Sequence, residues 1–231
     1  MVTLNDVIDY SKFYNGKDEP PQFFHEHFEL ADKIFVPADD FKLGQKLTDS
    51  IKENIVLHYF IHDSKQDRLL LNNLADKNLH QKVFAVTSPD FSADSGNCWS
   101  CLNEANILKS RICASRWQQE CGEPVILTLL WGDQSTYKYA FGNVEKGTIC
   151  AVSHQGIQNE RIFREGLETA VEKIRMENLC WLGNIPEYVK EFYDLNRIIK
   201  MQTRTELLQM LKRQKACENQ LLLAVKKQDG C

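Results

Sequence analysis

The chain has 231 residues, of which 43% are hydrophobic and 10% aromatic, and this composition excludes an intrinsically disordered protein. A formal net charge of −4 argues against bulk electrostatic binding to nucleic acid. A local basic patch is still compatible with this net charge. The N-terminus has no basic or apolar signal region, and no stretch approaches the roughly 18 apolar residues of a membrane span. We therefore expect a cytoplasmic protein whose eight scattered cysteines are mostly reduced.

Residues 1–32 are predicted to form an irregular or helical N-terminal segment, with a short helix near 4–13. The run Asp18-Glu19-Pro20-Pro21 interrupts it, because proline cannot donate the backbone hydrogen bond that a helix interior needs. His25 and His27 are a candidate metal-binding pair. An exposed edge is the alternative interpretation, since alternating side chains of an extended segment share a face without any metal.

Residues 33–186 are predicted to form the core domain, because β-branched and aromatic runs alternate there with amphipathic segments. The run at 125–130 is continuously apolar, which is typical of a strand buried on both faces of a parallel sheet. The alternation predicts an α/β fold, with a mostly parallel sheet of about six strands flanked by helices. The predicted strands lie near 34–36, 55–61, 83–88, 125–130, 148–152 and 179–182, and the predicted helices near 69–75, 102–120 and 160–175.

Residues 187–231 are predicted to form a C-terminal helical extension. An approximate heptad seam runs along it, formed by Leu207, Met210, Cys217, Leu221 and Ala224. Such a seam packs a helix either on its own domain or against a second copy of the chain. We therefore expect the extension on the core or at a homo-oligomer interface.

Four polar turns follow predicted strands of the core domain. Pro89 ends the strand at 83–88, because proline cannot extend a central ladder, and a carboxylate and a hydroxyl follow directly. The carboxyl ends of parallel strands meet at one edge of the sheet, where open α/β folds bind their ligands. We therefore predict one site that is lined by His62-Asp63, Asp90-Phe91-Ser92, Trp131-Gly132-Asp133 and Ser153-His154.

The residue types in these turns suggest acid–base or metal chemistry. Asp90 and Asp133 would act as acid and base or would hold a divalent metal ion. A histidine, either His154 or His62, would transfer a proton near neutral pH. The alternative for Asp90 is structural, with its carboxylate capping the turn by accepting from backbone N–H groups. The predicted catalytic residues are Asp90, Asp133, His154 and Ser92.

Arg161 and Arg164 lie in the first turns of the predicted helix at 160–175. Cations at this position oppose the helix dipole, at a cost of roughly 0.3–1 kcal/mol each, unless an anion is bound nearby. A phosphate at the helix N-terminus would supply that anion. The alternative is that Glu160 and Glu165 neutralise the two arginines on a solvent-exposed face.

The predicted helix at 102–120 supplies further ligand-binding candidates. Arg111 lies in its middle and is expected to reach towards the site, whereas Arg116, about 140° further around the helix, is expected to be structural. Asn103 lies closer to the site edge. The predicted ligand-binding residues are His62, Asp63, Trp131, Ser153, Arg161, Arg164, Arg111 and Asn103.

Cys98 and Cys101 form a C-x-x-C pair that Cys113 and Cys121 follow. Structural zinc prefers two close pairs of ligands, and a redox motif opens a helix directly after a strand. Neither pattern is matched, so unlinked cysteines are favoured over a zinc or redox centre. The sequence also contains no P-loop, dinucleotide-binding, H-E-x-x-H, deaminase or nucleophile-elbow signature.

Several motifs occur in the order of a known family, namely Pro89-Asp90-Phe91-Ser92, Arg111, Arg116-Trp117, Trp131-Gly132-Asp133, Val152-Ser153, Gly156, Phe163, Gly166 and Gly183. On these residues, the region at about 33–186 resembles an uncharacterised phage and bacterial family, the domain-of-unknown-function family four-four-one-seven. Ser153-His154 and Trp181-Leu182-Gly183 depart from the expected Ser-Thr or Ser-Val and Tyr-Gly. The resemblance implies a phage or mobile-element context and no established activity.

These observations lead to three hypotheses about function. In the first, a phage-associated protein of the host cytoplasm binds and sequesters a phosphorylated nucleotide, for example an immune signalling nucleotide, at the carboxyl edge of the sheet. As an enzyme it would be a hydrolase of the phosphodiesterase type. The second is a non-catalytic protein- or nucleic-acid-binding module, and the third is an accessory protein of phage nucleic-acid processing. No membrane partner is expected, and the net charge disfavours nucleic acid.

Overall fold

The computed structural model describes residues 19–66, 79–93, 100–121, 124–155 and 157–228. The helices predicted near 4–13 and 69–75, together with Cys98 and Gly156, lie outside the described residues. Within the described ranges, no helix is both long enough and apolar enough to cross a membrane.

Seven parallel strands form one sheet in the described part of the chain, and spatial neighbours in the sheet are also neighbours in sequence. The strands are β1 (Ile34–Pro37), β2 (Ile55–His58), β3 (Ala85–Thr87), β4 (Val125–Thr128), β5 (Cys150–Ser153), β6 (Leu179–Leu182) and β7 (Ile198–Lys200). The predicted α/β class with a parallel sheet is confirmed. The predicted number of strands, about six, is wrong, because β7 lies within the segment for which only helix is expected.

Strand β7 is short and lies at an edge of the sheet, so it leaves little pattern in the sequence. Its three residues, Ile-Ile-Lys, pair in parallel with β6. Strand β2 ends at His58 rather than at the predicted Ile61, because the Tyr59 N–H donates to Thr87 Oγ1 (3.0 Å) instead of to a ladder carbonyl. Side-chain hydrogen bonds of this kind end a strand earlier than residue composition suggests.

Helices precede or follow most strands. The α-helices with both ends described are α1 (Phe41–Gly44), α2 (Ile51–Asn54), α3 (Ser100–Arg116), α4 (Tyr137–Phe141), α5 (Glu160–Ile174) and α6 (Arg204–Gln228). Short 3-10 helices lie at Ala38–Asp40, His80–Lys82, Gln134–Thr136, Glu187–Glu191 and Leu195–Arg197, and a π-helical turn at Trp117–Cys121 extends α3. The predictions near 102–120 and 160–175 are confirmed by α3 with its π-helical turn and by α5.

The helices pack on one face of the sheet. The core on that face combines strand residues such as Val86 and Leu127 with helix residues such as Trp117 and Leu167. The other face forms a separate cluster, which among the described residues contains no helical member. Each strand is followed in the sheet by the next strand of the chain, and right-handed crossovers between such neighbours place all connecting helices on the same face of the sheet. The sheet therefore curls, with this second, inner face on its concave side.

His58 interrupts the apolar inner face at the end of β2. Because strand side chains alternate, His58 shares a face with Val56, which belongs to the inner cluster. The side chain is buried, and neither ring nitrogen has a hydrogen-bond partner among the described residues. Burial lowers the pKa of His58 to about 4, against a smaller opposite effect of the Asp39 charge. His58 is therefore neutral at pH 7.

The curl brings the two edge strands of the sheet towards each other. The Phe35 N–H in β1 donates to the side-chain oxygen of Gln202 (2.8 Å), which follows closely after β7. Arg204, at the start of α6, pairs with Asp40 after β1 (2.8 Å). Gln202 thereby satisfies a backbone donor that an edge strand would otherwise expose.

Among the residues of α6 whose side chains are described, 204–220, those that pack on the core lie in its first turns. Leu207 is fully buried, and Met210 packs against the core on the helical face. Residues 212–220 are exposed, including Cys217. The first turns of the predicted seam thus contact the chain's own domain, whereas an oligomer interface stays a prediction.

Candidate functional site

A cavity of about 360 Å³ lies at the carboxyl edge of the sheet, where β3, β4 and β5 end beside the N-terminus of α5. Its volume falls in the range of small-molecule sites. The polar lining comprises one carboxyl group, two hydroxyls and three amides, from Asp90, Ser92, Ser153, Gln155, Gln158 and Asn159. Two aromatic rings, those of Trp131 and Phe163, contribute to the apolar lining.

Hydrogen bonds fix the backbone of the turn that follows β3. The Thr128 N–H donates to Ser88 Oγ (2.8 Å), and the Thr128 hydroxyl donates to the Ser88 carbonyl (2.5 Å). Ser110 on α3 donates from its hydroxyl to the Pro89 carbonyl (2.5 Å). The neighbouring strand and the helix therefore both position the residue that comes next, Asp90.

The carboxyl group of Asp90 is half-buried at the wall of the cavity. The Asp90 backbone carbonyl accepts from Gln66 Nε2 (2.5 Å), but no described residue donates a hydrogen bond to its carboxylate. Burial, and to a lesser extent the charge of Asp63, raises the pKa of Asp90 to about 7. A carboxyl group with this pKa exchanges protons at neutral pH, as a general acid or base must. The turn-capping interpretation of Asp90 has no support among the described residues.

Trp131 packs against α5 at the wall of the cavity. Its indole N–H donates to the Ile162 carbonyl (3.3 Å), and its ring lies against Phe163 with 5.3 Å between the centroids. A β-carbon on Gly166 would overlap the indole, so only glycine permits this approach. Trp131, Phe163 and Gly166, which belong to the motifs of the resemblance, thus form one contact.

The hydroxyls of Ser153 and Ser92 complete the group of predicted residues at the cavity. Ser153 Oγ accepts from the Gln155 N–H (3.1 Å). The exposed Ser92 is held through its backbone, since its carbonyl accepts from Asn106 Nδ2 (2.8 Å). Three of the four predicted turns therefore contribute to one cavity, through Asp90 with Ser92, Trp131 and Ser153.

The remaining turn adjoins the cavity through Asp63 rather than through His62. Asp63 Oδ2 accepts from the Ser92 N–H (3.4 Å), and its charge acts on Asp90. His62 is exposed, with Nδ1 3.0 Å from Ser64 Oγ. Neither Asp63 nor His62 lines the cavity.

Asp133 performs a capping role at the turn after β4. Its Oδ1 accepts from the Ser135 N–H (3.0 Å) and from the Ser135 hydroxyl (2.5 Å), and the residue is exposed. Asp133 does not line the cavity. No cluster of three potential metal ligands within the described residues includes Asp90 or Asp133, and a divalent metal at these two residues stays a prediction.

His154 lies beside the start of α5, outside the cavity lining. Its Nε2 is 3.1 Å from both carboxylate oxygens of Glu160, and its ring packs against Phe163 with 5.1 Å between the centroids. Burial alone would raise the pKa of Glu160, but hydrogen bonds from Tyr188 and His154 outweigh this effect and lower it. His154 is therefore engaged with a carboxylate, and its proton-transfer role stays a prediction.

Arg161 and Arg164 have glutamate partners on the surface of α5. Arg161 Nε lies 3.7 Å from a Glu165 oxygen, and Arg164 lies 2.8 Å from Glu168 and 2.7 Å from Glu191. Neither arginine lines the cavity. The pairs favour the interpretation in which acidic neighbours neutralise the arginines, and phosphate binding by them stays a prediction.

Arg111 is buried and binds backbone carbonyls instead of lining the cavity. Its guanidinium donates to the carbonyls of Pro21 (2.7 Å), Tyr139 (3.1 Å) and Ala140 (3.1 Å). Burial lowers the pKa of Arg111 to about 10, so the side chain remains a cation at neutral pH. Arg111 thus joins α3 to the N-terminal segment and to α4.

Asn103 supports the turn after β4 from α3. The side chain is buried, and a β-carbon on Gly132 would lie 2.6 Å from Asn103 Nδ2. Gly132 therefore allows the turn to approach Asn103. This contact places Asn103 behind the cavity wall rather than in its lining.

Sequence reasoning missed the amides of the cavity, which belong to Gln155, Gln158 and Asn159. Asn159 had a recognisable signal, because asparagine directly before an amphipathic run marks a helix N-cap. Its side-chain oxygen accepts from the Ile162 N–H (3.2 Å). The two glutamines lie in a loop without periodicity, where no pattern indicates which side chains face a site.

Comparison with known proteins shows the family to which the chain belongs. A model of the family described as a domain of unknown function (DUF4417) matches residues 25–202, well over half of the chain. Searches of curated proteins and of solved structures gave no match. The family match includes the cavity at the carboxyl edge and all seven strands. The chain therefore belongs to the DUF4417 family.

Proposed function

We propose that the chain binds a phosphorylated nucleotide in the cavity at the carboxyl edge of the sheet. The principal supporting observation is the Asp90 carboxyl group, which lines the cavity, has a pKa of about 7 and receives no hydrogen bond from a described residue. Removing a carboxyl group from water costs free energy unless another group forms a hydrogen bond with it. A ligand that hydrogen-bonds to Asp90 supplies that partner.

The lining suits the hydrogen-bonding edge of a nucleobase. A protonated Asp90 offers a hydrogen-bond donor and an acceptor side by side. Each side-chain amide of Gln155, Gln158 and Asn159 likewise offers an NH2 donor and a carbonyl acceptor. The aromatic side chain of Trp131 provides an apolar wall. Contact between a base and an aromatic ring stabilises a complex by about 1–3 kcal/mol.

The first turn of α5 would hold the phosphate in this proposal. Asn159, Ile162 and Phe163 line the cavity, so the helix N-terminus borders it. Backbone N–H groups and the helix dipole favour an anion at this position. Arg161 and Arg164 would add to phosphate binding only by exchanging their glutamate partners for the ligand.

Hydrolysis is the enzymatic form of the same proposal. In this form the ionised Asp90 would face the phosphoryl group instead of the base, and it would accept a proton from the water that attacks phosphorus. The phosphoester bond would break and the leaving oxygen would take up a proton from solvent, while the hydroxyls of Ser92 and Ser153 would orient the ligand. A divalent metal ion, when bound, would neutralise charge on the phosphoryl group. Sequestration needs none of these steps and requires only affinity.

The phage context implied by the resemblance favours a particular ligand within this class. An immune signalling nucleotide of the host cytoplasm would be captured or cleaved, which would give the chain an anti-defence role. The cavity volume of about 360 Å³ is sufficient for a nucleotide portion of such a molecule.

A second candidate function is non-catalytic binding through α6. Lys212, Arg213 and Lys215 are exposed on this helix, together with the apolar Leu208. A protein with an acidic surface would suit this helix, and nucleic acid would bind in a salt-dependent manner, as in an accessory role in phage nucleic-acid processing.

Thermal denaturation with a panel of mono-, di- and cyclic nucleotides, with and without Mg²⁺, tests the first proposal. We expect at least one nucleotide to raise the Tm by several degrees, since a ligand at 100 times its Kd adds about 2.7 kcal/mol of stability. Asp90→Ala should abolish the shift, and Asp194→Asn, at an exposed carboxylate outside the cavity, should preserve it.

Three results distinguish the possibilities. Chromatographic detection of a cleaved nucleotide would establish an enzyme, and an intact bound nucleotide would establish sequestration. A wild-type Tm that no nucleotide moves would overturn the nucleotide proposal. Loss of partner or nucleic-acid binding in Lys212→Glu/Arg213→Glu/Lys215→Glu, without loss of stability, would support the second candidate instead.

A further inference from the structure

The N-terminal segment meets the amino-terminal edge of the sheet at a cluster of two imidazoles and one carboxylate. His25 Nε2 lies 3.4 Å from one oxygen of Glu177, and His27 Nδ1 lies 3.1 Å from the other. The residues are far apart in sequence, and Glu177 comes directly before β6. The cluster therefore lies at the opposite end of the strands from the cavity that contains Asp90.

We propose that His25, His27 and Glu177 bind a divalent transition-metal ion, with Zn²⁺ as the best match. Imidazole nitrogen and carboxylate oxygen are ordinary zinc ligands, and three protein ligands leave the fourth position to water. The site is independent of the proposed nucleotide cavity, because none of its three residues lines that cavity.

The spacing of the ligand atoms fits tetrahedral coordination. Zinc lies about 2.1 Å from nitrogen or oxygen ligands, so neighbouring ligands of a tetrahedron are roughly 3.4 Å apart. The three ligand atoms all lie within 4.8 Å of one another. A single carboxylate oxygen, Glu177 Oε2, lies 3.4 Å from His25 Nε2 and 3.1 Å from His27 Nδ1. The three atoms are therefore close enough for one ion to be shared, and the largely exposed His27 ring has room to turn towards it.

The backbone holds both sides of the cluster in place. The Phe23 N–H donates to the Asn143 carbonyl (2.9 Å), and the His25 N–H donates to Glu145 Oε2 (2.8 Å). On the other side, the Glu177 N–H donates to the Gly147 carbonyl (3.0 Å). The 143–147 loop thus positions the first histidine and the glutamate together.

His25 also has the outer contact that is usual for a metal-binding histidine. Its Nδ1 lies 3.4 Å from the Lys146 carbonyl, so the tautomer with hydrogen on Nδ1 leaves Nε2 free for a metal. Gly147, with a positive φ of 88°, lies against the ring, and a β-carbon there would be 2.6 Å from Nδ1. The ring orientation is therefore fixed by the loop.

A metal at this cluster would fasten the N-terminal segment to the sheet. It would be reached from solvent, since the side chains of His25, Glu177 and His27 are 28%, 33% and 75% exposed. Protons compete with the metal for the imidazole nitrogens, so affinity should decrease as the pH falls. The alternative is a plain hydrogen-bonded contact between the histidines and Glu177, which would need no metal.

Zinc titration of chelator-treated full-length protein in competition with a chromophoric chelator tests the proposal. We expect one tight equivalent of Zn²⁺ in the wild type and a Kd at least about tenfold weaker in His27→Gln and in Glu177→Gln. Glu172→Gln, an exposed carboxylate on α5, and Asp90→Ala should bind like the wild type. His27 is largely exposed, so its replacement should not disturb folding, which circular dichroism would confirm.

Equal zinc affinity in the wild type and in both cluster variants would overturn the proposal. So would a tight equivalent that only Asp90→Ala removes, because the metal would then belong to the cavity. Absence of any saturable zinc binding by the wild type would leave only the hydrogen-bonded contact. Perturbation of His25 and His27 ring resonances at one equivalent of Zn²⁺ would support the proposal independently of affinity.

Discussion

The indole of Trp131 lies directly against the backbone of Gly166 on α5, with no space for a β-carbon between them. The same indole donates to the Ile162 carbonyl one turn earlier (3.3 Å). The position of the cavity wall therefore depends on the absence of a side chain on the neighbouring helix. This relationship explains why a tryptophan and a distant glycine occur together among the motifs of the resemblance.

Gly166→Ala should displace Trp131 and destabilise the protein. The added methyl overlaps the indole, and overpacking of this kind costs typically about 1–3 kcal/mol. Urea denaturation should show the loss, and the tryptophan emission should shift because the ring moves. Glu172→Ala on the exposed face of the same helix is the control and should leave both signals unchanged. Wild-type stability in Gly166→Ala would contradict the close contact.

Asp90→Asn should stabilise the protein at pH 8 and change how its stability depends on pH. The pKa of Asp90 is raised in the native state to about 7 from an ordinary value of 3.8, so the native state holds a proton that the unfolded state has lost. Stability from this group is complete at low pH and decreases as pH rises from about 4 towards 7 and beyond. Asparagine imitates the protonated form, so it should remove this decrease. Urea denaturation from pH 4 to 8 measures the effect, which we expect to reach roughly 2–4 kcal/mol.

Asp63→Asn should lower the pKa of Asp90 without abolishing its elevation. The Asp63 charge is the smaller of the two causes of the shift, and burial is the larger. Titration of the Asp90 carboxyl by carbon-13 NMR should therefore give a midpoint between the ordinary value and that of the wild type. Asp194→Asn serves as the matched control. An unchanged midpoint in Asp63→Asn would show that the two carboxyl groups do not interact.

His58→Leu should protect the protein against mild acid. The pKa of His58 is lowered to about 4 from 6.5, so the unfolded state takes up a proton first and stability is lost as the pH falls from about 6.5 towards 4. Between pH 7 and 5 the contribution of His58 to this loss is about 2 kcal/mol. Leucine also removes two buried nitrogens that have no partner within the described ranges, which should add about 1–2 kcal/mol at pH 7. His62→Gln, at an exposed histidine, should behave like the wild type.

His58 and Asp90 act in opposite directions between pH 5 and 7. A falling pH destabilises the protein through His58 and stabilises it through Asp90. The wild type should therefore show a nearly flat dependence of stability on pH in this interval. In Asp90→Asn stability should fall as the pH falls, because only His58 contributes, and in His58→Leu it should rise, because only Asp90 contributes. Parallel profiles for the wild type and both variants would contradict the burial of both groups.

The α/β class was predictable because buried parallel strands are continuous apolar runs. The 125–130 run and the Pro89 stop both mark strands that the structure contains. Strand β7 was not predictable, since three residues at an edge have no periodicity. The curl of the sheet also could not be derived, because it depends on the strand order and not on the residues of any single strand.

The site was predictable only as far as chain topology determines it. Placement of Asp90, Trp131 and Ser153 at one cavity follows from the parallel sheet. The sequence could not show that Asp133, rather than Asp90, caps its own turn, because both are aspartates in similar turns. Glu177, which lies 150 residues from His27, could not have been joined to the histidine pair without the fold.

The bond from Phe35 to Gln202 has a consequence for how the chain is synthesised. The ribosome releases β1 long before it adds Gln202. During most of translation β1 therefore lacks its contact with the chain that follows β7, and the curl of the sheet cannot form. We therefore expect Phe35, Val56 and Ala85 of the inner cluster to stay exposed on the nascent chain until β7 emerges. The inner cluster can be completed only after release of nearly the whole domain. Chaperones that hold apolar nascent chains should consequently stay bound to this protein until late in its synthesis.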